Sequence, residues 1–387
     1  MSKLERLIQQ YCPDGVEYKA LGEVTIMKRG TSATKGIMQA GNIPVISGGR
    51  QPAFYCNASN RTGEIITVAG SGAGAGYVQY WNEPIFVCDA FSIQGNETLN
   101  TKYVYYVLTS IQEKIYSTKK GGGVPHVHIS SIDKFEIPVP PLPVQEEIVR
   151  VLDAFTELQA ELQAELQKRK QQYNFYRDNL LNFKDINRGG QEIKWMKMSE
   201  VASFTYGYTS KAQDSGNVRY IRITDITDRG QLNPKNGKYI SLTEDVQPYL
   251  LQKGDLIMAR TGATYGKTLY YNEDYPSAYA SFLIKITLNQ SVDPKYYWHF
   301  TRSSIYWEQA NRLVGGGAQP QFNTGAISQV KIPLPSIEEQ QRIADILDRF
   351  DALTSDLTSG LPAEMEKRRQ QYEFYRDKLL TFKRKEA

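Results

Sequence analysis

The chain is written twice. Ile137-Pro138-Val139-Pro140 through Leu152-Asp153-Ala154-Phe155 matches Ile332-Pro333-Leu334-Pro335 through Leu347-Asp348-Arg349-Phe350, 195 residues later. Lys168-Arg169-Lys170-Gln171-Gln172-Tyr173-Asn174-Phe175-Tyr176-Arg177-Asp178 matches Lys367-Arg368-Arg369-Gln370-Gln371-Tyr372-Glu373-Phe374-Tyr375-Arg376-Asp377, 199 residues later. The second copy therefore carries four extra residues between its blocks. Matches this long make each copy one structural unit, and the pair predicts a pseudo-two-fold molecule.

The repeated blocks predict long helices. Ile148, Leu152, Phe155, Gln159, Leu162, Leu166, Arg169, Tyr173, Tyr176, Leu180 and Phe183 follow alternating steps of three and four, the seam of a coiled coil. The second copy repeats the seam from Ile343 to Phe382, except for two consecutive fours at Leu357-Leu361-Met365. Such a stutter, with Gly360 and Pro362 inside it, predicts a kink. Each helix runs to ~40 residues, about 60 Å. A striped helix needs a partner, and the other copy supplies one. The expected packing positions are Leu152, Phe155, Leu162, Leu166, Tyr173, Tyr176, Leu347, Phe350, Tyr372 and Tyr375. Thr156-Glu157-Leu158-Gln159, Ala160-Glu161-Leu162-Gln163 and Ala164-Glu165-Leu166-Gln167 form a tandem tetrapeptide. It is either a solvated, helix-favouring stretch or a modular ruler of ~6 Å per unit.

The residues ahead of each helix are related more weakly. Gly63-Glu64-Ile65-Ile66 resembles Gly254-Asp255-Leu256-Ile257, and Gly72 and Gly76 line up with Gly262 and Gly266. Gly121-Gly122-Gly123 and Gly315-Gly316-Gly317 precede the two Ile-Pro-x-Pro markers. Short β-branched runs, Glu64 to Val68 and Leu283 to Thr287, predict strands between turns. Ser2 and Glu5 form a capping-box pattern for a short helix that stops near Pro13-Asp14-Gly15. The fold class is α+β, divided as 1–142 (first mixed domain with its N-terminal helix), 143–184 (central helix), 185–335 (second mixed domain) and 336–387 (distal helix). Lys184 to Gly190 is the polar linker.

Catalytic and cofactor motifs are poor. Gly70-Ser71-Gly72-Ala73-Gly74-Ala75 fits a loose dinucleotide fingerprint, but Tyr77-Val78-Gln79-Tyr80 reads as a strand where the motif requires a helix. Gly262 to Thr268 resembles a phosphate loop one residue short. Two equivalent glycine-rich turns between strands explain both better. His126 and His128 share a strand face, yet zinc needs more ligands, and the second repeat has no Cys. No metal, and no catalytic residue, is expected. Cys12, Cys56 and Cys88 form no CxxC pair, which suits a reducing, intracellular compartment. No apolar run approaches the ~20 residues of a membrane span.

Net charge is +4, too little to argue for a partner. Divided by segment it is informative. Residues 1–136 carry +2 and 185–331 carry +4, while each helical segment carries −1. Basic and hydroxyl side chains cluster beside glycines: Arg29, Thr31, Ser32, Lys119, Lys120, Thr209, Ser210, Lys211, Arg219, Arg222, Arg260, Thr261 and Lys267. Phosphate and base contacts both need such groups on accessible loops. Aligned on proline, Pro125-His126-Val127-His128 faces Pro320-Gln321-Phe322-Asn323, with Gln319 just before. His, Gln and Asn can read base edges; alternatively they cap their own loop. From composition the 26 tyrosines fit a tyrosine-rich core better than a binding surface, and Tyr173, Tyr176, Tyr372 and Tyr375 belong to the seam.

On its Ile-Pro-x-Pro blocks, its Lys-Arg-(Lys/Arg)-Gln-Gln-Tyr-x-Phe-Tyr-Arg-Asp blocks, its tetrapeptide array and its opening Val16-Glu17-Tyr18-Lys19-Ala20-Leu21-Gly22-Glu23-Val24, the whole chain resembles a specificity subunit of a type I restriction–modification system. The resemblance implies two target-recognition domains, each reading one half of a split site on double-stranded DNA. Two long antiparallel helices would form a coiled-coil spacer and dock two DNA methyltransferase (modification) subunits, with restriction/translocase subunits joining them in the cytoplasm. It also implies that the chain is not an enzyme and binds no cofactor, S-adenosylmethionine, ATP and Mg belonging to the partners. The absence of an adenine methyltransferase motif agrees. A non-DNA adaptor, two ligand-binding domains on a coiled-coil tether, is the alternative.

Overall fold

The computed structural model describes residues 2–34, 36, 38–121, 123–183, 193–316, 320–355 and 360–386. The chain divides into two compact units, Met1–Gln163 with Glu364–Ala387, and Ala164–Ala363.

The first unit opens with the helix Lys3–Tyr11, whose capping box is formed by Ser2 and Glu5. Its main sheet has four antiparallel strands in the order Thr25–Arg29, Ala90–Gly95, Ile65–Ala69, Val78–Trp81. A three-stranded sheet sets Ile43–Ile46 antiparallel to Phe54–Cys56 and parallel to Phe86–Val87. Tyr18–Ala20 pairs with Glu136–Pro138. Ile66, Val68, Phe91, Ile93, Tyr103 and Val104 are all but sealed from solvent and form the centre of the core. Each buried aliphatic contributes roughly 1.5–3 kcal/mol of burial.

The second unit repeats this plan strand for strand. Its four-stranded sheet runs Ala202–Tyr206, Leu283–Leu288, Leu256–Ala259, Thr268–Tyr270. Val218–Ile221 lies between antiparallel Tyr239–Ile240 and parallel Ser277–Tyr279, and Lys194–Lys197 pairs with Lys331–Leu334.

Both units fasten a helix that follows the main sheet (Thr101–Ser110 and Pro294–Phe300) to a long helix by the same contacts. Gln145 accepts from the Asn100 N–H (2.8 Å) and donates to the carbonyls of Thr98 and Pro140. Gln340 accepts from the Asp293 N–H (2.9 Å) and donates to the carbonyls of Ser291 and Pro335. Tyr103 and Tyr296 donate to the Pro138 and Pro333 carbonyls. Lys102 and Tyr106 converge on Asp153, as Lys295 and His299 do on Asp348.

The central helix runs without a break over Leu142–Leu181, 40 residues. The distal helix is interrupted, which corrects the expectation of one helix with a kink. It forms as Ile337–Ser355 and Leu361–Leu379, 19 residues each. Gly360 stands at a bend, and Pro362, which has no N–H and whose ring would clash with a preceding turn, sits in the first turn of the second segment; residues 356–359 lie outside the described residues. Leu357 and the linker Lys184–Gly190 lie outside the described residues.

The expected seam residues meet within each unit. Leu152 and Leu347, repeat equivalents, are both fully buried, and Leu166 and Tyr173 nearly so; Leu162 is half-buried. Phe155 stacks on Tyr375 (5.5 Å, 24°) and touches Tyr372 in the first unit. Tyr176 stacks on Phe350 (5.4 Å, 29°) in the second. The same Phe–Tyr pair is thus made once per unit, with the two members exchanged between copies.

Candidate nucleic-acid interface

The glycine-rich turns create one backbone frame in both units. Gly72 and Gly262 adopt φ of +76° and +68°, and Gly76 and Gly266 adopt +83° and +77°, conformations that favour glycine. Gly76 donates to the Ala69 carbonyl and Gly266 to the Ala259 carbonyl. Gly72 and Gly262 donate to the carbonyls of Pro125 and Pro320, and Val127 and Phe322 donate to those of Gly70 and Arg260. The proline alignment made in the sequence therefore matches positions that are equivalent in space. Strands follow both turns, so neither is a phosphate loop or a dinucleotide fingerprint.

On this shared frame the side chains differ. In the first unit Ser71 hydrogen-bonds Asp89, and the His126 and His128 rings lie parallel 6.0 Å apart. Arg29, Gly70, Asp89, His126 and His128 line one shallow cavity. Arg29, Thr31, Ser32 and Lys120 are exposed, while Lys119 lies over the Tyr116 ring at 4.1 Å. In the second unit Arg260, at the position of Gly70, donates from Nε to the Ser281 carbonyl (3.1 Å). Its guanidinium lies 5.2 Å from the Tyr206 ring and 5.3 Å from that of Phe282. Thr209, Ser210, Lys211, Gln321 and Asn323 are exposed nearby in sequence or register. An arginine held between two ring faces presents its remaining donors with little rotamer freedom to lose.

Several expected contacts are placed elsewhere. Arg219 is 5% exposed and donates to the Asn233 carbonyl. Arg222 is clamped on Asp225 by Nε and Nη2. Both hold the 233–236 loop; Arg219 is thereby buried, while Arg222 stays part-exposed at 30%. Thr261 is buried beneath the frame. Lys267 pairs with Asp228, whose carboxyl it holds below the usual 3.8. The Asn323 side chain accepts from the Ala326 N–H (3.0 Å) and caps the short helix Thr324–Ile327, leaving only its amide N–H groups outward. Gln319 lies outside the described residues.

Tyr206, Phe282 and Thr324 were missed from sequence. Tyr206 and Phe282 are 42% and 53% exposed, and the Tyr206 hydroxyl meets that of Thr324. The available signal was an aromatic at a strand end next to glycine (Tyr206-Gly207) or hydroxyl residues (Ser281-Phe282). Among the described residues no group of three His, Cys, Asp or Glu is placed to hold a metal, and no helix is long and apolar enough to cross a membrane.

One α+β fold is thus present twice, with a common backbone frame and divergent exposed side chains. The family model for the type I restriction modification DNA specificity domain matches residues 13–169 and again 191–367. The specificity subunit of the Escherichia coli type I restriction enzyme EcoR124I/EcoR124II is 32% identical over 439 aligned positions, covering 100% of this chain and 98% of that one. A chain assigned as a type I restriction enzyme specificity subunit in Haemophilus influenzae is 30% identical, covering 98% of each. The crystal structure of a type I restriction–modification S subunit from M. genitalium shares the fold, with a TM-score of 0.61 at 16% identity over 95% of this chain and 96% of that one. The chain belongs to the type I restriction–modification DNA specificity family. Its relatives are specificity subunits, which recognise DNA targets and are themselves non-catalytic.

Proposed function

We propose that the chain reads a bipartite DNA target, one half-site per unit, and directs adenine methyltransferase and restriction subunits to it in the cytoplasm. The observation that carries this reading is the duplicated frame: identical backbone hydrogen bonds at Gly72 and Gly262 carry His126 and His128 in one unit and Arg260, Gln321 and Asn323 in the other. Two readers with different side chains read two different sequences. The gap between half-sites is set by the long helices. Two methyltransferase subunits, matching the two-fold repeat, dock on those helices and restriction/translocase subunits join them. S-adenosylmethionine, ATP and Mg²⁺ are held by the partners, and this chain holds none.

The test is the methylome of the host, together with DNA titration of the chain bound to its methyltransferase subunits at two salt concentrations. A split motif with a fixed gap, and affinity falling steeply with salt, are expected. A continuous motif would overturn the two-reader assignment, and salt-insensitive binding would favour a non-DNA adaptor.

A further inference from the structure

A cavity of about 220 Å³ in the second unit is ringed by Lys170, Arg177, Arg229, Lys267 and Arg302. Two carboxylates, Asp228 and Asp351, line the cavity beside these five cations among the described residues. The volume is below the roughly 300–1,000 Å³ of sites for drug-sized ligands and suits a group of a few atoms.

Arg177 pairs with Asp178 at 3.1 Å, whereas Arg302 keeps an unmet donor and Lys267 has an exposed partner. Arg302 donates from Nη2 to Asp351 at 2.6 Å and lies over the Trp298 and Tyr173 rings. Its Nη1 is buried without a hydrogen-bond partner among the described residues. An unmet charged donor is costly to bury. Arg229 donates to the Thr354 carbonyl. Lys267 is held only by Asp228, whose side chain is 91% exposed, and such surface pairs bind weakly.

Packing does not demand these charges. In the first unit Thr109 stands where Arg302 does, one residue before serines that both bond back three residues, Ser110 to Val107 and Ser303 to Phe300. Tyr77 stands where Lys267 does, directly after the equivalent Gly76 and Gly266. The same fold closes there without them.

We propose that this cavity is a phosphate site peculiar to the second unit, taking one phosphoryl group either from the DNA backbone or from free phosphate. The first source rests on the DNA-reading assignment; the second does not.

The test uses the full chain bound to its methyltransferase subunits. Inorganic phosphate is titrated at low ionic strength and followed by ³¹P line broadening. Duplex DNA is titrated separately across a salt series. Saturable phosphate binding is expected, with at least a tenfold loss in the double variant Lys170→Met/Lys267→Met. Arg369→Met, at the second-copy position equivalent to Lys170 and within the first unit, should bind as wild type. Asp228→Asn removes an exposed negative charge and should tighten phosphate binding, which guards against a variant that simply misfolds. If the double variant also lowers the DNA salt slope by about one, the phosphate comes from the backbone. If the slope is unchanged while phosphate affinity falls, free phosphate is the ligand. Absence of saturable phosphate binding, or wild-type affinity in the double variant, overturns the site. Loss of DNA binding by the wild type would instead overturn the DNA reading.

Discussion

Gln145 and Gln340 are 0% and 1% exposed, and each amide bonds one backbone N–H and two backbone carbonyls. Gln340→Leu keeps much of the volume but strands three part-buried backbone groups. At about 1–3 kcal/mol for each unmet group, with partial relaxation, a loss of about 2–4 kcal/mol is expected in urea denaturation. A change below ~0.5 kcal/mol would show that the contact is dispensable. His299 supplies a second residue-scale expectation. It is fully buried, its Nε2–H donates to Asp348 at 2.7 Å and its Nδ1 accepts from the Tyr173 hydroxyl at 3.2 Å. Burial pushes its pKa below 6.5. The unfolded chain therefore takes up a proton below pH 6.5 that the folded state resists. Stability is full above pH 6.5 and falls as pH drops below it, until the lowered folded value is reached. Burial pushes Asp348 up, but its bonds from His299 and Lys295 outweigh this and hold it below 3.8, outside that window. His299→Tyr, which copies Tyr106, should flatten melting temperature against pH from 6.5 down to about 5. An unchanged slope would assign it to another group.

At the scale of elements, the central helix is the part most fully legible in sequence, because a three-four stripe and strong helix formers agree along all 40 residues. Deleting Ala160-Glu161-Leu162-Gln163 should shorten it by ~6 Å, and at about 3.4 Å per base pair the methylated motif should lose one or two base pairs of gap. A motif with unchanged spacing after the deletion would refute the ruler. The distal helix was less legible. Gly360 and Pro362 announced a disturbance, but kink and interruption share those residues, and only packing decides between them. Among candidate contacts, Arg219 sits beside glycine and polar residues like any surface cation. Its burial depends on a carbonyl 14 residues away in sequence, for which local pattern holds no signal. Tyr206 and Phe282 were hidden for the opposite reason: Tyr206 ends a strand and Phe282 stands in the turn before one, where an aromatic is ordinarily taken for core.

For the whole molecule, the two units were foreseeable from the repeat, whereas the discontinuous make-up of the first was not. Tyr372, Leu379, Leu380 and Phe382 pack into a core whose other members lie between Leu4 and Leu152. Val16 donates to the Lys383 carbonyl (2.8 Å), Lys385 donates to the Val16 carbonyl (3.0 Å), and the Tyr18 hydroxyl donates to the Phe382 carbonyl. Removing residues 364–387 should therefore unfold the first unit and spare the second. Hydrogen exchange would show this as lost protection at Ile66, Val68 and Ile93 with Ile257 and Ile284 still protected. Equal loss in both units, or none, would contradict the division.

That make-up also dictates an order of events on the ribosome. The second unit, Ala164–Ala363, is contiguous and is made before Glu364–Ala387. The first unit begins earlier but must keep its core unfinished until a segment more than 200 residues downstream of Gln163 emerges. Closing so long a loop costs little more equilibrium stability than closing a short one, but it delays completion. The half that is translated first is the half that is finished last. A chain ending prematurely is then left with at most the second unit intact, so that a truncated product cannot present a complete pair of readers.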